Sequence, residues 1–364
     1  MGKKKESATA KPKGSQHSSK PATKDVRAET TTPPVRVDEA TKKQQQLILD
    51  IFRNTFSDVL TSSDFTSTLQ SVKAALFDRD FARAFADDRN LSVYAARWSP
   101  TRALCYASVF GSIQDHLRAI CISQPSADSE SPSLGVLSIG GGAAETAALA
   151  IFLGSSSSSP PPTGSITLLD SAPWDAVVSS LHKSLTSPPP LSKYASEAAR
   201  AANTPVINPD RFAAEFVQGD VLTLTTPDLS TAIGHKPALV TLFFTLNELF
   251  TSAGIGPTTK FLLNLTSIIP AGSLLLVVDS PGSYAETALG KDSKKKYPMQ
   301  WLLDRILLRD NDEPVAGGRR WAKLESHDSL WFRLADGLEY PIPLENMRYQ
   351  MHLYQAEVVA TGAN

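Results

Sequence analysis

Residues 135–145 read Gly-Val-Leu-Ser-Ile-Gly-Gly-Gly-Ala-Ala-Glu. An apolar run of strand character stops on three glycines, and an alanine-rich helical stretch begins at once. A second apolar run, Ser165 to Leu169, ends on Asp170, twenty-eight residues beyond Gly142. Strand, glycine turn, helix, strand and terminal acid, in that order, commit this stretch to a parallel α/β unit. They also place a nucleotide-type cofactor at its edge. The glycines let a ligand approach the backbone, and the acid accepts hydrogen bonds from ribose hydroxyls.

The pattern continues downstream. Strands are expected at 135–139, 165–169, 214–218, 238–245 and 273–279. Helical stretches are expected at 143–153, 173–186, 192–203 and 257–269. Such alternation means a parallel sheet with helices on both faces. After 279 the style changes. Residues 297–309 look helical, and Ser329–Leu334 and Arg348–Gln355 look like an antiparallel pair finishing the sheet. The fold class is therefore α/β and Rossmann-like: a mostly parallel sheet closed by an antiparallel strand pair, with an N-terminal helical extension.

That extension is read from apolar spacing. Leu47, Ile48, Ile51, Phe52, Phe56, Val59 and Leu60 form one stripe at helical period. Ser63 or Asp64 is placed to cap a second helix. Ser99-Pro100 marks the start of another, with serine as cap and proline in the first turn. Both cysteines, Cys105 and Cys121, fall in that last helix, about 24 Å apart along its axis and too far for a disulfide. Residues 1–38 are rich in Lys, Ser, Thr and Pro and nearly lack large apolar side chains, so they are expected to be disordered. The expected organisation is a basic tail over 1–38, a helical region over 39–130 and the Rossmann-like domain over 131–364.

The formal net charge of −1 hides an asymmetry. Residues 1–43 hold eleven Lys/Arg and five Asp/Glu, leaving 25 basic and 32 acidic residues in the remainder. A basic tail on an acidic body points to an anionic partner such as a nucleic acid, or to nuclear targeting. No apolar run approaches the roughly 20 residues that span a bilayer. No apolar stretch follows the N-terminal lysines, so a secretory signal is not expected. The six histidines show no metal-ligand spacing.

Several residues are candidates for chemistry. A dinucleotide fingerprint wants a third small residue where helix packs on strand, and Glu145 takes that place. The turn Gly140-Gly141-Gly142 then need not cradle a pyrophosphate, and it can equally accept the amino-acid part of S-adenosylmethionine, with Asp170 on the ribose. Gly219-Asp220 follows the third strand, where an acid can bind the adenine amino group, with Val221 beside it; the plainer reading is an ordinary turn. Thr245, Asn247 and Glu248 end the fourth strand, at the edge where ligands sit. Equally, Asn247 can cap the next helix and Glu248 can be a solvated first-turn acid. Tyr94, Arg97, Trp98 and Arg102 mix aromatic and guanidinium groups suited to stacking on bases and holding phosphates. A helix start with snorkelling arginines is the alternative. Lys291, Lys294, Lys295 and Lys296 form a basic loop after the fifth strand, placed for phosphate contact.

The blocks Ser138–Glu145, Leu168–Trp174, Gln218–Asp220 and Phe243–Glu248, with Arg97–Pro100 and Arg348–Tyr354, resemble the fungal 25S ribosomal-RNA uridine-N3 methyltransferases. These are class I Rossmann-like enzymes that use S-adenosylmethionine. The resemblance covers roughly 40–356. It implies methyl transfer to N3 of a uridine in large-subunit rRNA or a pre-ribosome, in the nucleus or nucleolus and also in the cytoplasm, with no membrane and no metal. By position it puts Gly140, Gly141 and Gly142 at the methionine end, Asp170 on the ribose, Asp220 on the adenine and Trp174 against the adenine. Glu248 is the first candidate for the base. Two other readings stay open: a non-catalytic ribosome-assembly protein on the same fold, and a nicotinamide-dependent oxidoreductase.

Overall fold

The computed structural model describes residues 37–122, 131–282, 284–287, 295–308 and 318–358. Seven strands form the main sheet: β1 (Ser133–Ile139), β2 (Thr163–Asp170), β3 (Phe212–Gln218), β4 (Leu239–Phe243), β5 (Leu274–Asp279), β8 (Arg319–Phe332) and β9 (Met347–Val358). Their order is β3-β2-β1-β4-β5-β9-β8. The first five are mutually parallel, β9 runs antiparallel to β5, and β8 antiparallel to β9. A smaller antiparallel pair joins β6 (Tyr284–Thr287) to β7 (Lys295–Pro298). The α/β class and the closing antiparallel pair are as the sequence implies.

The chain steps from β1 outward to β2 and β3, then returns to the other side of β1 with β4. That reversal opens a crevice beyond the carboxyl ends of β1 and β4, the place where open α/β sheets bind ligands. The central strands are buried on both faces: all of β4 and β5 is enclosed, which explains their unbroken apolar runs.

Among the described residues, seven helices precede the sheet: α1 (Glu39–Thr55), α2 (Ser57–Leu60), α3 (Phe65–Phe77), α4 (Phe81–Ala84), α5 (Asp88–Arg97), α6 (Ser99–Ser112) and α7 (Gln114–Ile122). The Asp38 carboxylate caps α1 by accepting from the Thr41 N–H at 2.9 Å. The stripe of α1 is buried as its spacing requires, through Ile48, Leu49, Ile51 and Phe52. These helices share a single apolar core with one face of the sheet. Helix α8 (Ala143–Gly154) is therefore enclosed nearly all round, between the sheet and α6. Its alanines allow that close approach. The second face of the sheet is covered by α11 (Thr226–Ile233), α13 (Ile255–Ile268) and α14 (Met299–Leu307).

Some local expectations are corrected. The long helix expected after Ser99 breaks at Ile113, so Cys105 lies on α6 and Cys121 on α7; both are free thiols. Ser99 is already helical rather than the cap. The chain arrives from α5 through Trp98, which holds an αR conformation with no side-chain cap bond. Helix α9 (Asp175–Thr186) forms as expected, but the stretch 192–203 yields only α10 (Glu197–Ala201). It buries no residue, so propensity has no packing to reinforce it. Helix α11 was not anticipated, although Thr225 caps it and Pro227 sits in its first turn. Strand β8 is longer than its pattern suggests. It is an edge strand with two register irregularities, and its charged, exposed positions hide the alternation.

Candidate active site

The glycine turn sits at the end of β1. Gly140 has φ +71°, and a Cβ there would lie 2.2 Å from the Thr245 hydroxyl oxygen. A side chain is thus excluded both by backbone conformation and by space. At Gly142 a Cβ would stand 3.0 Å from the Trp174 ring. The turn is closed in by its neighbours: Gly140 and Gly142 line the cavity beyond it, whereas Gly141 is buried against Ser138.

Glu145 explains why the dinucleotide pattern fails. It occupies the third position of α8, and its carboxylate accepts the Gly142 N–H at 2.8 Å. A carboxyl group is therefore built in at the helix N-terminus, where a Rossmann site would seat a pyrophosphate. Burial pushes its pKa up, opposed by the Gly142 N–H and the charge of Arg102. Glu145→Ala is expected to lower stability by about 1–2 kcal/mol through loss of this cap, read by urea denaturation. An unchanged midpoint would show that the capping bond contributes nothing.

The turn opens on a cavity of about 720 Å³, within the roughly 300–1,000 Å³ typical of cofactor sites. Asp170 lines it from the end of β2, with Oδ1 accepting the Ala172 N–H at 2.7 Å. Burial pushes its carboxyl up to about 6, while the Ala172 and Ser171 N–H groups and Trp174 pull the other way. Asp220 and Val221 also line the cavity, beyond β3. Asp220 is exposed, and its Oδ1 holds its own turn by accepting the Leu222 N–H at 2.9 Å. The turn reading is met by that bond, and the same residue also lines the cavity. Trp174 is buried and packs over Gly142, with its ring 5.7 Å from Tyr94 and 5.8 Å from Phe85.

Beyond β4, Phe244 leaves the sheet with φ +56°, a region uncommon for a bulky residue. A short helix, α12 (Leu246–Glu248), runs into a π turn over Leu249–Ala253. Thr245 also lines the cavity, and its single hydroxyl proton is shared between the carbonyls of Ile139 and Phe243, at 3.2 and 3.1 Å. The Asn247 N–H donates to the Asp279 carboxylate at 3.1 Å, and its side-chain Oδ1 is buried with no hydrogen-bond partner. Glu248 lines the cavity. Burial pushes its carboxyl up to about 8, reinforced by Asp170 and Asp279 and opposed by Arg102 and Arg79. It is the first-turn acid of α12, but half-buried at the cavity rather than solvated, and Thr245, not Asn247, stands at the N-cap of that helix.

The opposite wall comes from the N-terminal helices. Tyr94, Trp98 and Arg102 face the cavity, joined there by Phe81 and Phe85. Arg97 does not: it is buried and ion-paired with Glu345, so its guanidinium is not available at the surface. Lys291 and Lys294 lie outside the described residues. Lys295 and Lys296 form part of the backbone of β7. Arg79, with φ +58°, and Phe244 are site residues that the sequence did not flag; no local motif announces them. Among the described residues, no group of three or more His, Cys, Asp or Glu is placed to hold a metal ion, and no helix is long and apolar enough to cross a membrane.

A family of SAM-dependent methyltransferases has a model that matches residues 52–355. The chain belongs to this methyltransferase family. The match starts inside α1 and ends in β9, and so spans helices α2 to α7 as well as the sheet. The cofactor is accordingly S-adenosylmethionine, and the cradle, the cavity and the acid ending β2 suit it. The methyltransferase is 33% identical over 333 residues to the 25S rRNA (uridine(2843)-N(3))-methyltransferase of Saccharomyces cerevisiae, covering 85% of each chain. Solved structures of similar proteins include a SAM-dependent methyltransferase from Methanosarcina mazei (11% identity, TM-score 0.31, 62% of this chain and 92% of that one). Another, from Clostridium acetobutylicum, has 9% identity and a TM-score of 0.33, over 69% of this chain and 90% of that one.

Proposed function

We propose that this methyltransferase modifies large-subunit ribosomal RNA, transferring a methyl group to N3 of a uridine during ribosome assembly, in the nucleolus. The observation that carries this is the 33% identity to the yeast enzyme, spread over 85% of both chains rather than confined to the cofactor motifs. The basic stretch at the N-terminus, with eleven Lys/Arg among the first 43 residues, is suited to an RNA-rich particle and to nuclear targeting.

Bound S-adenosylmethionine supplies an electrophilic sulfonium methyl, open to in-line displacement. The protein's task is to align, to exclude water and to handle a proton. Gly140, Gly141 and Gly142 would cradle the methionine end, Asp170 would accept from the ribose hydroxyls, and Asp220 with Val221 and Trp174 would bound the adenine. Fixing the acceptor against the methyl supplies most of the rate. Uracil N3 carries a proton and lies on the Watson–Crick edge, so the target must be unpaired or flipped into the cavity. Glu248, with Asn247 beside it, would then accept the N3 proton.

Mass-spectrometric mapping of nucleosides in rRNA tests the substrate. A strain lacking the gene should lack one N3-methyluridine in its large-subunit rRNA, and re-expression should restore it. Unaltered large-subunit rRNA in the deletion strain would remove this substrate.

A further inference from the structure

We propose that Arg102 binds the acceptor base itself, donating from its guanidinium to a uracil carbonyl oxygen and stabilising the ring as its anion during methyl transfer. This rests on the uridine-N3 reading above.

The setting of Arg102 is unlike that of the other enclosed arginines. Arg97 is paired with Glu345, Arg89 with Asp64, and Arg211 donates to the carbonyls of Leu153 and Pro162. Among the described residues Arg102 has no carboxylate within ion-pair distance, and the one hydrogen bond of its side chain goes to the Tyr94 phenol. Its Cζ lies 4.9 Å from the centre of the Phe244 ring and 5.4 Å from that of Tyr94. A guanidinium carries five donors, so most of this fork is left for a ligand. Aromatic faces hold the charge in place without neutralising it. Phe244, which supplies one face, carries the left-handed backbone noted above, the kind of local strain that clusters at functional sites.

Position favours the base over the cofactor. Arg102, Trp98 and Phe244 line both the main cavity and a smaller one of about 220 Å³ that extends to Asn346, Met347 and Arg348 at the start of β9. Arg102 therefore stands where an acceptor entering from the β9 side would meet the cofactor cavity. The charge of Arg102 also acts on Glu248, the proposed base.

The chemistry requires such a group. The N3–C bond forms as the cofactor's S–CH3 bond breaks, and the N3 proton leaves to the Glu248 carboxylate. Loss of that proton puts a negative charge on the ring, spread over N3 and the two flanking carbonyl oxygens. A fixed donor at one of those oxygens stabilises the charge where it develops, as an oxyanion hole does. Methylation discharges it, and the neutral product is released from the cation. The ionisable groups acting on this pair are Tyr94, Tyr106 and Glu145 around Arg102, and Asp170, Asp279 and Arg79 around Glu248.

The test uses the full-length enzyme with two transcripts of large-subunit rRNA, one made with uridine and one with 5-fluorouridine, whose N3 is more acidic. R102M is expected to lower kcat on the uridine transcript by about 10²–10³-fold. Its rate–pH profile should rise at higher pH than that of wild type. The 5-fluorouridine transcript should recover most of the loss, and cofactor affinity by calorimetry should stay within about threefold. R102K, which keeps a charge without the fork, should fall between the two and covers the case in which R102M does not fold. Loss of cofactor binding in step with activity would assign the guanidinium to the cofactor's carboxylate and overturn the proposal. An equal loss on both transcripts at every pH would overturn it in favour of a packing role. A wild-type enzyme that methylates neither transcript would instead overturn the uridine reading, and this inference with it.

Discussion

Glu248→Gln is expected to slow methyl transfer by about 10²–10⁴-fold while leaving cofactor affinity nearly unchanged. The substitution keeps the shape of the side chain and removes only its capacity to take a proton. The carboxyl is well suited to that task, because burial among Asp170 and Asp279 pushes it up to about 8. Wild-type activity should therefore rise with pH as Glu248 gives up its proton. A bound sulfonium, being a cation, should draw that limb below 8. The rising limb should vanish in the variant. The same shift acts on stability with a definite sign. A carboxyl whose folded pKa lies above its unfolded value favours the folded state at low pH, and that contribution is lost as pH rises toward 8. The variant should thus melt about 3 °C higher than wild type at pH 9, and level with it near pH 4. Unchanged turnover across the pH range would remove Glu248 from the proton path.

Asp170→Ala should reduce S-adenosylmethionine affinity by at least about 100-fold, to where calorimetry detects no heat of binding. Hydrogen bonds to a charged acceptor contribute about 1.5–3 kcal/mol each, and a ribose presents two hydroxyls to it. The carboxyl of Asp170, pushed up to about 6, should lose charge in mildly acidic solution, so wild-type cofactor affinity should fall as pH drops below that value. Asp170→Asn, which preserves an acceptor for the Ala172 N–H, separates the ligand's contribution from the turn's. Wild-type affinity in the alanine variant would mean that the cofactor lies elsewhere.

The sequence alone determined the elements whose information is local. Three glycines after an apolar run, an acid ending the next run, and a second acid after the third all lie within a few residues of the strands that position them. Their positions follow from period and turn chemistry, and the sheet order brings Gly140, Gly142, Asp170 and Asp220 to one cavity. Glu145 was legible as a mismatch to the dinucleotide pattern; its bond to the Gly142 N–H supplied the reason.

The wall opposite that turn was decided by tertiary structure. Arg97 and Arg102 are five residues apart on adjoining helices and look equivalent in sequence. One is neutralised by Glu345, 248 residues away, and the other is left against Phe244 at the cavity. Nothing local distinguishes them, because the difference lies in which distant carboxylate reaches which guanidinium. The enclosure of α8 by α6, and the burial that moves Glu248 far from an ordinary carboxyl, have the same origin. Burial and pairing depend on what packs from elsewhere in the chain, whereas strand, turn and acid are written where they act.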